Sequence, residues 1–100
     1  MWKKICELKD IRNSIIVKKL EGKEIALIRA QGKIYAFENK CTHQDYPLDS
    51  GFVEGKTITC PLHGAKFDLK NGKVLSLPAT KPLNVYKTKV HSDKIFIEVK

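Results

Sequence analysis

Hydrophobic and polar residues alternate in short runs through most of the chain, and polar or glycine-containing turns separate the runs. This pattern predicts β-strands, because successive side chains of a strand point to opposite faces of a sheet. The predicted strands span residues 2–8, 14–20, 25–30, 34–37, 57–60, 65–68, 84–90 and 95–99. No segment keeps apolar residues at helical spacing over three turns. The sequence therefore predicts an all-β protein.

Short polar connections join the first strands. Residues 21–24 (Glu-Gly-Lys-Glu) separate two β-branched runs and predict a hairpin, and residues 31–33 (Gln-Gly-Lys) predict another tight turn. Three consecutive strands joined in this way form an antiparallel meander.

The composition of the sequence changes at residue 39, and the regular alternation of hydrophobic and polar residues stops there. Residues 39–79 contain three of the four prolines and every closely spaced cysteine–histidine pair, whereas alternation returns after them. We therefore divide the single domain into a β base, residues 1–38 and 80–100, and an inserted loop-rich unit, residues 39–79. One hundred residues predict one modest core and no second one.

The net charge of +8 comes from 19 basic and 11 acidic residues. The lysines are dispersed, with adjacent pairs only at 3–4 and 18–19, and no aromatic residues interleave with a basic run. This dispersion is typical of a solvated surface rather than a nucleic-acid interface. For a protein partner, the same charge predicts an acidic docking surface.

The first ten residues interrupt every apolar run with a charge, so they predict neither a signal peptide nor a membrane span. Three cysteines are fewer than a secreted disulfide scaffold of this length usually carries. We therefore expect a cytoplasmic protein without a membrane partner. Cys6 stands apart from any histidine and is predicted to be a small buried residue of the first strand.

The chemistry-bearing residues are Cys41 and His43, followed by Cys60 and His63. Each pair brings one thiolate and one imidazole to the same loop. Two facing loops of this kind can offer two cysteines to one iron and two histidines to another, as a two-iron cluster with distinct ends requires.

Zinc is the principal rival, because two cysteines and two histidines also form an accepted tetrahedral set. Zinc-finger sequences group both cysteines before both histidines, whereas the order here is Cys, His, Cys, His. A zinc-binding structural or nucleic-acid-binding module therefore remains the alternative of a different class.

The surrounding residues extend the motif and closely resemble those of Rieske-type [2Fe–2S] ferredoxins. The matching residues are Cys41-Thr42-His43, Pro47-Leu48, Gly51, the run 60–68 (Cys-Pro-Leu-His-Gly-Ala-Lys-Phe-Asp), Asn71-Gly72 and Pro78-Ala79. The match is densest over 41–79, and the flanking strands fit the family's base domain. The resemblance implies an antiparallel β-sandwich base with an inserted cluster-binding subdomain and one [2Fe–2S] cluster. It assigns Cys41 and Cys60 to the buried ferric iron, and His43 and His63 to the outer iron.

Departures from the family's quinol-oxidising members place this chain in another branch. Those proteins brace the cluster with a disulfide whose positions here hold Tyr46 and Leu62. They also place serine and tyrosine hydroxyls near the cluster, where this chain has Ala65 and Phe67. Hydrogen bonds to cluster sulfurs stabilise the reduced form, so their absence predicts a low reduction potential.

The resemblance thus implies a one-electron carrier rather than an enzyme. Its partners would be redox proteins: a reductase as donor, and an oxygenase or other terminal acceptor. The alternative within redox biology is a small Rieske subunit of a nitrite or arsenite oxidoreductase.

Overall fold

A computed structural model describes residues 1–12, 14–42, 46–61, 64–77 and 81–99. Within these ranges the chain forms eleven strands, which confirms the predicted all-β class. The strands are β1 (Trp2–Glu7), β2 (Ile16–Leu20), β3 (Lys23–Ala30), β4 (Lys33–Glu38), β5 (Phe52–Glu54), β6 (Thr57–Thr59), β7 (Lys66–Asp68), β8 (Val74–Ser76), β9 (Val85–Tyr86), β10 (Thr88–His91) and β11 (Lys94–Glu98).

The strands form three antiparallel sheets. The first sheet has the order β1-β11-β10, the second β2-β3-β4-β9 and the third β5-β6-β7-β8. The third sheet lies wholly within the predicted loop-rich unit 39–79. A 3₁₀ turn at Leu8–Asp10 is the one helical element of the described ranges, and none of the helical structure there is long and apolar enough to cross a membrane.

Strand β3 is buried on both faces and places the second sheet in the middle of the molecule. Ile25 and Leu27 belong to one buried cluster, whereas Ala26 and Ile28 belong to the other. A strand covered on both faces needs a continuous apolar run rather than alternation, and residues 25–28 supply it. The predicted strand 25–30 is therefore the central strand of the fold.

Each face of the second sheet packs against a separate core, so the single core expected from the chain length was wrong. The core toward the first sheet contains Cys6, Ile11, Ile25, Leu27, Ala36, Ile95 and Ile97. The core toward the third sheet contains Ala26, Ile28, Phe37, Cys41, Leu48, Ile58, Cys60, Ala65, Phe67, Leu69 and Leu83. Two of the cysteines singled out in the sequence are thus buried in the core that joins the third sheet to the base.

Besides the Gly55-Lys56 loop that joins β5 to β6, three hairpins have two-residue loops, including the two predicted from residues 21–24 and 31–33. Their strand registers end at the pairs Leu20–Lys23, Ala30–Lys33 and His91–Lys94. Both loop residues have positive φ in each case: Glu21-Gly22, Gln31-Gly32 and Ser92-Asp93. Type I′ turns require this conformation, and their twist matches that of the flanking strands.

The predicted continuous strand 84–90 was wrong, because the chain changes sheets within it. Strand β9 pairs with β4 in the second sheet, whereas β10 pairs with β11 in the first. Between them the Lys87 carbonyl accepts the Glu98 N–H at 3.0 Å, and the Thr88 hydroxyl donates to the Ile34 carbonyl at 2.9 Å. No glycine, proline, asparagine or aspartate stands between Val85 and Val90, so the sequence carries no turn signal at this crossing.

Candidate metal centre

Cys41 and Cys60 each begin a loop that follows a strand. Cys41 comes three residues after the end of β4, and Cys60 comes directly after β6. Both side chains are buried in the same apolar core, together with Ala65 and Phe67. The fold therefore brings together two thiols that are nineteen positions apart in the sequence.

The two cysteine loops close in the same way. The Cys41 N–H donates to the Tyr46 carbonyl at 2.7 Å, and the Cys60 N–H donates to the Ala65 carbonyl at 2.7 Å. Each bond spans five positions, so each cysteine is fixed at the neck of a six-residue loop. In the second loop, the Gly64 N–H also donates a hydrogen bond to the Cys60 carbonyl at 3.1 Å. The backbones of both cysteines are thus held by equivalent hydrogen bonds at the start of their loops.

The predicted histidine ligands, His43 and His63, lie outside the described residues, as do Gln44, Asp45 and Leu62. Both histidines fall within the spans that the two neck hydrogen bonds close. Among the described residues, no three histidine, cysteine or acidic side chains come together as a metal site. The four-residue ligand set therefore stays a prediction.

The donors that the structure describes fit an iron–sulfur cluster. Buried thiolates are the cluster ligands of iron–sulfur proteins, and their apolar surroundings limit solvent access to the metal. Ala65 and Phe67 are fully buried in the same core, so neither brings a hydroxyl to it. This arrangement supports the low-potential interpretation.

Cys6 takes no part in the centre. It lies on β1, in the core between the first and second sheets, and burial raises the pKa of its thiol above the ordinary value. A buried thiol that stays protonated is inert. The predicted structural role of Cys6 is confirmed.

Sequence reasoning missed Asn39, the one buried polar side chain among the described residues. Its carboxamide oxygen accepts the Leu48 N–H at 2.8 Å. Its amide group lies 3.2 Å from a Glu24 carboxylate oxygen and 3.4 Å from one of Asp49. These bonds tie the two ends of the first cysteine loop to each other and to β3. An isolated asparagine carries no sequence signal for this role, because its partners are nine to fifteen positions away.

Replacement of Asn39 by alanine should destabilise the protein by about 2 kcal/mol, because the buried Leu48 N–H loses its acceptor. Cluster loss should also accelerate, since the first cysteine loop loses its tie. Denaturant unfolding and the decay of visible absorbance measure the two effects. Asn84→Ala is the control, because the side-chain contacts of Asn84 are exposed and 3.4–3.5 Å long. Equal losses in both variants would contradict the role of Asn39.

A segment near the C-terminal end of the chain, residues 81–83, also contacts the first cysteine loop. The Thr42 hydroxyl donates to the Lys81 carbonyl at 2.7 Å. Nearby in the sequence, the Leu83 N–H donates to the Gly72 carbonyl at 2.7 Å. Residues 81–83 therefore connect the first cysteine loop to the turn that follows β7.

Comparison with known proteins agrees with this geometry. Residues 1–87 match the family model of the Rieske [2Fe-2S] domain. The ferredoxin component of the naphthalene 1,2-dioxygenase/salicylate 5-hydroxylase systems of a Ralstonia species is 38% identical over 98% of this chain and 95% of its own length. The 3-phenylpropionate/cinnamic acid dioxygenase ferredoxin subunit of Shigella flexneri is 43% identical over 75% of this chain and 72% of its own.

Solved structures show the same fold. The ferredoxin of carbazole 1,9a-dioxygenase from Nocardioides aromaticivorans IC177 superposes with a TM-score of 0.90 and 26% identity, covering 100% of this chain and 99% of that one. A chain in a complex of reduced oxygenase and oxidised ferredoxin of carbazole 1,9a-dioxygenase gives a TM-score of 0.86 at 31% identity, covering 96% and 91%. The resemblance seen in the motif is confirmed across the chain, which belongs to the Rieske [2Fe-2S] domain family.

Proposed function

We propose that this protein is a one-electron carrier with one [2Fe–2S] cluster, which passes electrons from a reductase to an oxygenase. The observation that carries the proposal is the pair of similarly closed loops, each with a buried cysteine at its neck. The relatives are ferredoxin components or subunits of dioxygenase systems, which favours a carrier over a subunit of a nitrite or arsenite oxidoreductase.

The cluster ligands would be Cys41 and Cys60 on one iron, and His43 and His63 on the other. Residues 39–79 would form the cluster-binding subdomain on the β base. Two imidazoles in place of two thiolates remove negative charge and raise the reduction potential above that of all-cysteine clusters. Since all three cysteines are buried thiols, we place the protein in the cytoplasm.

Electron paramagnetic resonance of the purified protein tests the cofactor directly. We expect a red-brown protein whose reduced form gives a rhombic signal with an average g value below that of the free electron. A colourless protein with one equivalent of zinc, obtained even after iron and sulfide reconstitution, would contradict the proposal. Transfer of electrons from the reduced protein to an oxygenase tests the carrier role separately.

The midpoint potential should fall in the lower part of the Rieske range, which spans roughly −150 to +300 mV. The reason is that Ala65 and Phe67 offer no hydroxyl to the cluster sulfurs. We expect Ala65→Ser to raise the midpoint in a redox titration, with Ala30→Ser on β3 as the control. A wild-type midpoint well above about +100 mV on that scale would refute this explanation.

A further inference from the structure

Three large apolar side chains in or next to the edge strands of the third sheet, β5 and β8, are exposed to solvent. Phe52 is 67% exposed, Leu75 50% and Leu77 76%. Together with the exposed Lys66 they form what we call the third-sheet patch. Large apolar side chains grouped on one exposed face mark interaction sites more often than isolated ones do.

Strand register places Phe52 and Lys66 of this patch in one row across the outer face of the third sheet. Phe52 pairs with Thr59, Thr59 with Lys66, and Lys66 with Ser76. Directly paired residues share a face, and the four strands make this row about 14 Å wide. The opposite face is the buried one, with Val53, Ile58, Phe67 and Val74 in or against the core. The register shift between β7 and β8 leaves Leu75 as the extra residue of a bulge, where it projects into solvent.

The row also lies at the neck of the second cysteine loop. Thr59 directly precedes Cys60, and Lys66 directly follows Ala65, whose carbonyl accepts the Cys60 N–H. A protein that covers the row therefore comes close to the metal centre. Close approach is what electron transfer needs, since its rate falls steeply with distance.

The charge distribution indicates which kind of surface fits there. Residues 39–79 hold five lysines and four acidic residues, a net charge of +1, so seven of the eight net positive charges lie in the base. The acidic docking surface predicted from the total charge would thus be drawn to the base rather than to the cysteine loops. Near those loops, the complementary surface is mainly apolar, with a negative charge opposite Lys66.

We propose that the third-sheet patch is the docking surface for the oxygenase that accepts the electron, and that this partner presents an apolar area with a carboxylate opposite Lys66. This inference rests on the proposed function.

A second copy of the chain fits the patch poorly. A symmetric dimer would bring the same patch from each copy together, and the two Lys66 side chains would then lie close to each other. Each copy also carries a net charge of +8, which opposes association. A row about 14 Å wide is small for a stable dimer but suits the brief contacts of redox partners.

The test measures the second-order rate constant for electron transfer from the reduced holoprotein to its oxygenase. The probe is the terminal oxygenase of the source cells, purified by following oxygen uptake that depends on added ferredoxin. We expect the triple variant Phe52→Ser, Leu75→Ser, Leu77→Ser to lower the rate constant about tenfold or more. The visible spectrum and midpoint potential should not change, because these side chains point away from the core.

Two matched controls separate the patch from general surface effects. Val90→Ser removes an apolar side chain that is 49% exposed on β10 of the first sheet, and it should leave the rate constant unchanged, whereas Leu75→Ser should lower it. Lys66→Glu should also lower it, whereas Lys70→Glu, in the turn at the other end of β7, should not. If the triple variant fails to take up a cluster, the rate constants of Leu75→Ser and Lys66→Glu, compared with those of their controls, test the docking surface.

Wild-type rates in Leu75→Ser and Lys66→Glu would overturn the docking surface and leave the electron-carrier function intact. A dimer of the free protein that the triple variant dissociates in analytical ultracentrifugation would show that a second copy covers the patch. Failure of the wild-type holoprotein to reduce any oxygenase fraction would overturn the proposed function and this inference with it.

Discussion

Replacement of Cys60 by alanine should abolish assembly of the [2Fe–2S] cluster. Cys60 is buried at the neck of the second loop, and its backbone is fixed by bonds to Ala65 and Gly64. Alanine would leave one iron with a single protein thiolate, and no other cysteine is near enough in the sequence to replace it. Iron and acid-labile sulfide per chain, together with visible absorbance, measure the loss.

Cys6→Ala is the matched control for this variant. Cys6 is also buried, but it lies in the core between the first and second sheets, on the other side of β3. We expect it to take up a full cluster and to lose only the small free energy of one buried sulfur atom, about 1 kcal/mol. An intact cluster in Cys60→Ala would refute the ligand set. A lost cluster in Cys6→Ala would show that general destabilisation, not ligand removal, explains both results.

The histidines allow a finer test of the same assignment. Because thiolates are ordinary iron–sulfur ligands, His63→Cys should retain a cluster but at a lower midpoint potential than the wild type. A higher midpoint in this variant would contradict the placement of His63 on the iron.

Replacement of Gly72 by alanine should be among the most destabilising changes outside the ligands, at about 3 kcal/mol. Gly72 has a φ of 78°, a conformation that costs a residue with a Cβ about 1 kcal/mol or more. A Cβ at this position would also overlap the carbonyl oxygen of Leu83. That carbonyl belongs to rigid backbone, since the Leu83 N–H donates to Gly72, so relief would require the segment to move.

Gly32→Ala separates the two causes. Gly32 has nearly the same φ, 77°, but no atom lies within 4 Å of its would-be Cβ. We therefore expect Gly32→Ala to cost about 1 kcal/mol from backbone conformation alone. Denaturation midpoints of the two holoproteins under identical conditions give the comparison. Equal shifts would show that the close approach of Leu83 contributes nothing.

Elements with local signals were predictable from the chain. The two-residue turns at 21–22 and 31–32 each carry a glycine at the second of the two positions that need positive φ, so both hairpins follow from sequence. The strands β5 and β8 were not predicted, because each contains two adjacent apolar residues, whereas the equally short β6 and β7 alternate polar and apolar residues. Their position at the edges of the third sheet comes from pairing with β6 and β7.

The sequence by itself determined the chemistry of the centre. The order and spacing of Cys41, His43, Cys60 and His63, together with the resemblance of the surrounding residues to Rieske ferredoxins, predict the cofactor. Comparison of Ala65 and Phe67 with the hydroxyl-bearing residues of the quinol-oxidising members predicts its low potential. A metal-ligand motif can be recognised from the sequence because its residues are close together along the chain and few residue types can bind the metal.

The tertiary structure alone decided how the centre is supported and which face is left for a partner. Asn39 reaches Glu24 and Asp49, Thr42 reaches Lys81, and Leu83 packs on Gly72, over separations of 10 to 39 positions. The change of sheets at residue 87 and the exposed row on the third sheet also depend on which distant strands pair. Hydrophobic alternation records only that a strand has two faces, whereas the strands that pair with it and the core it covers are set by contacts between remote parts of the chain.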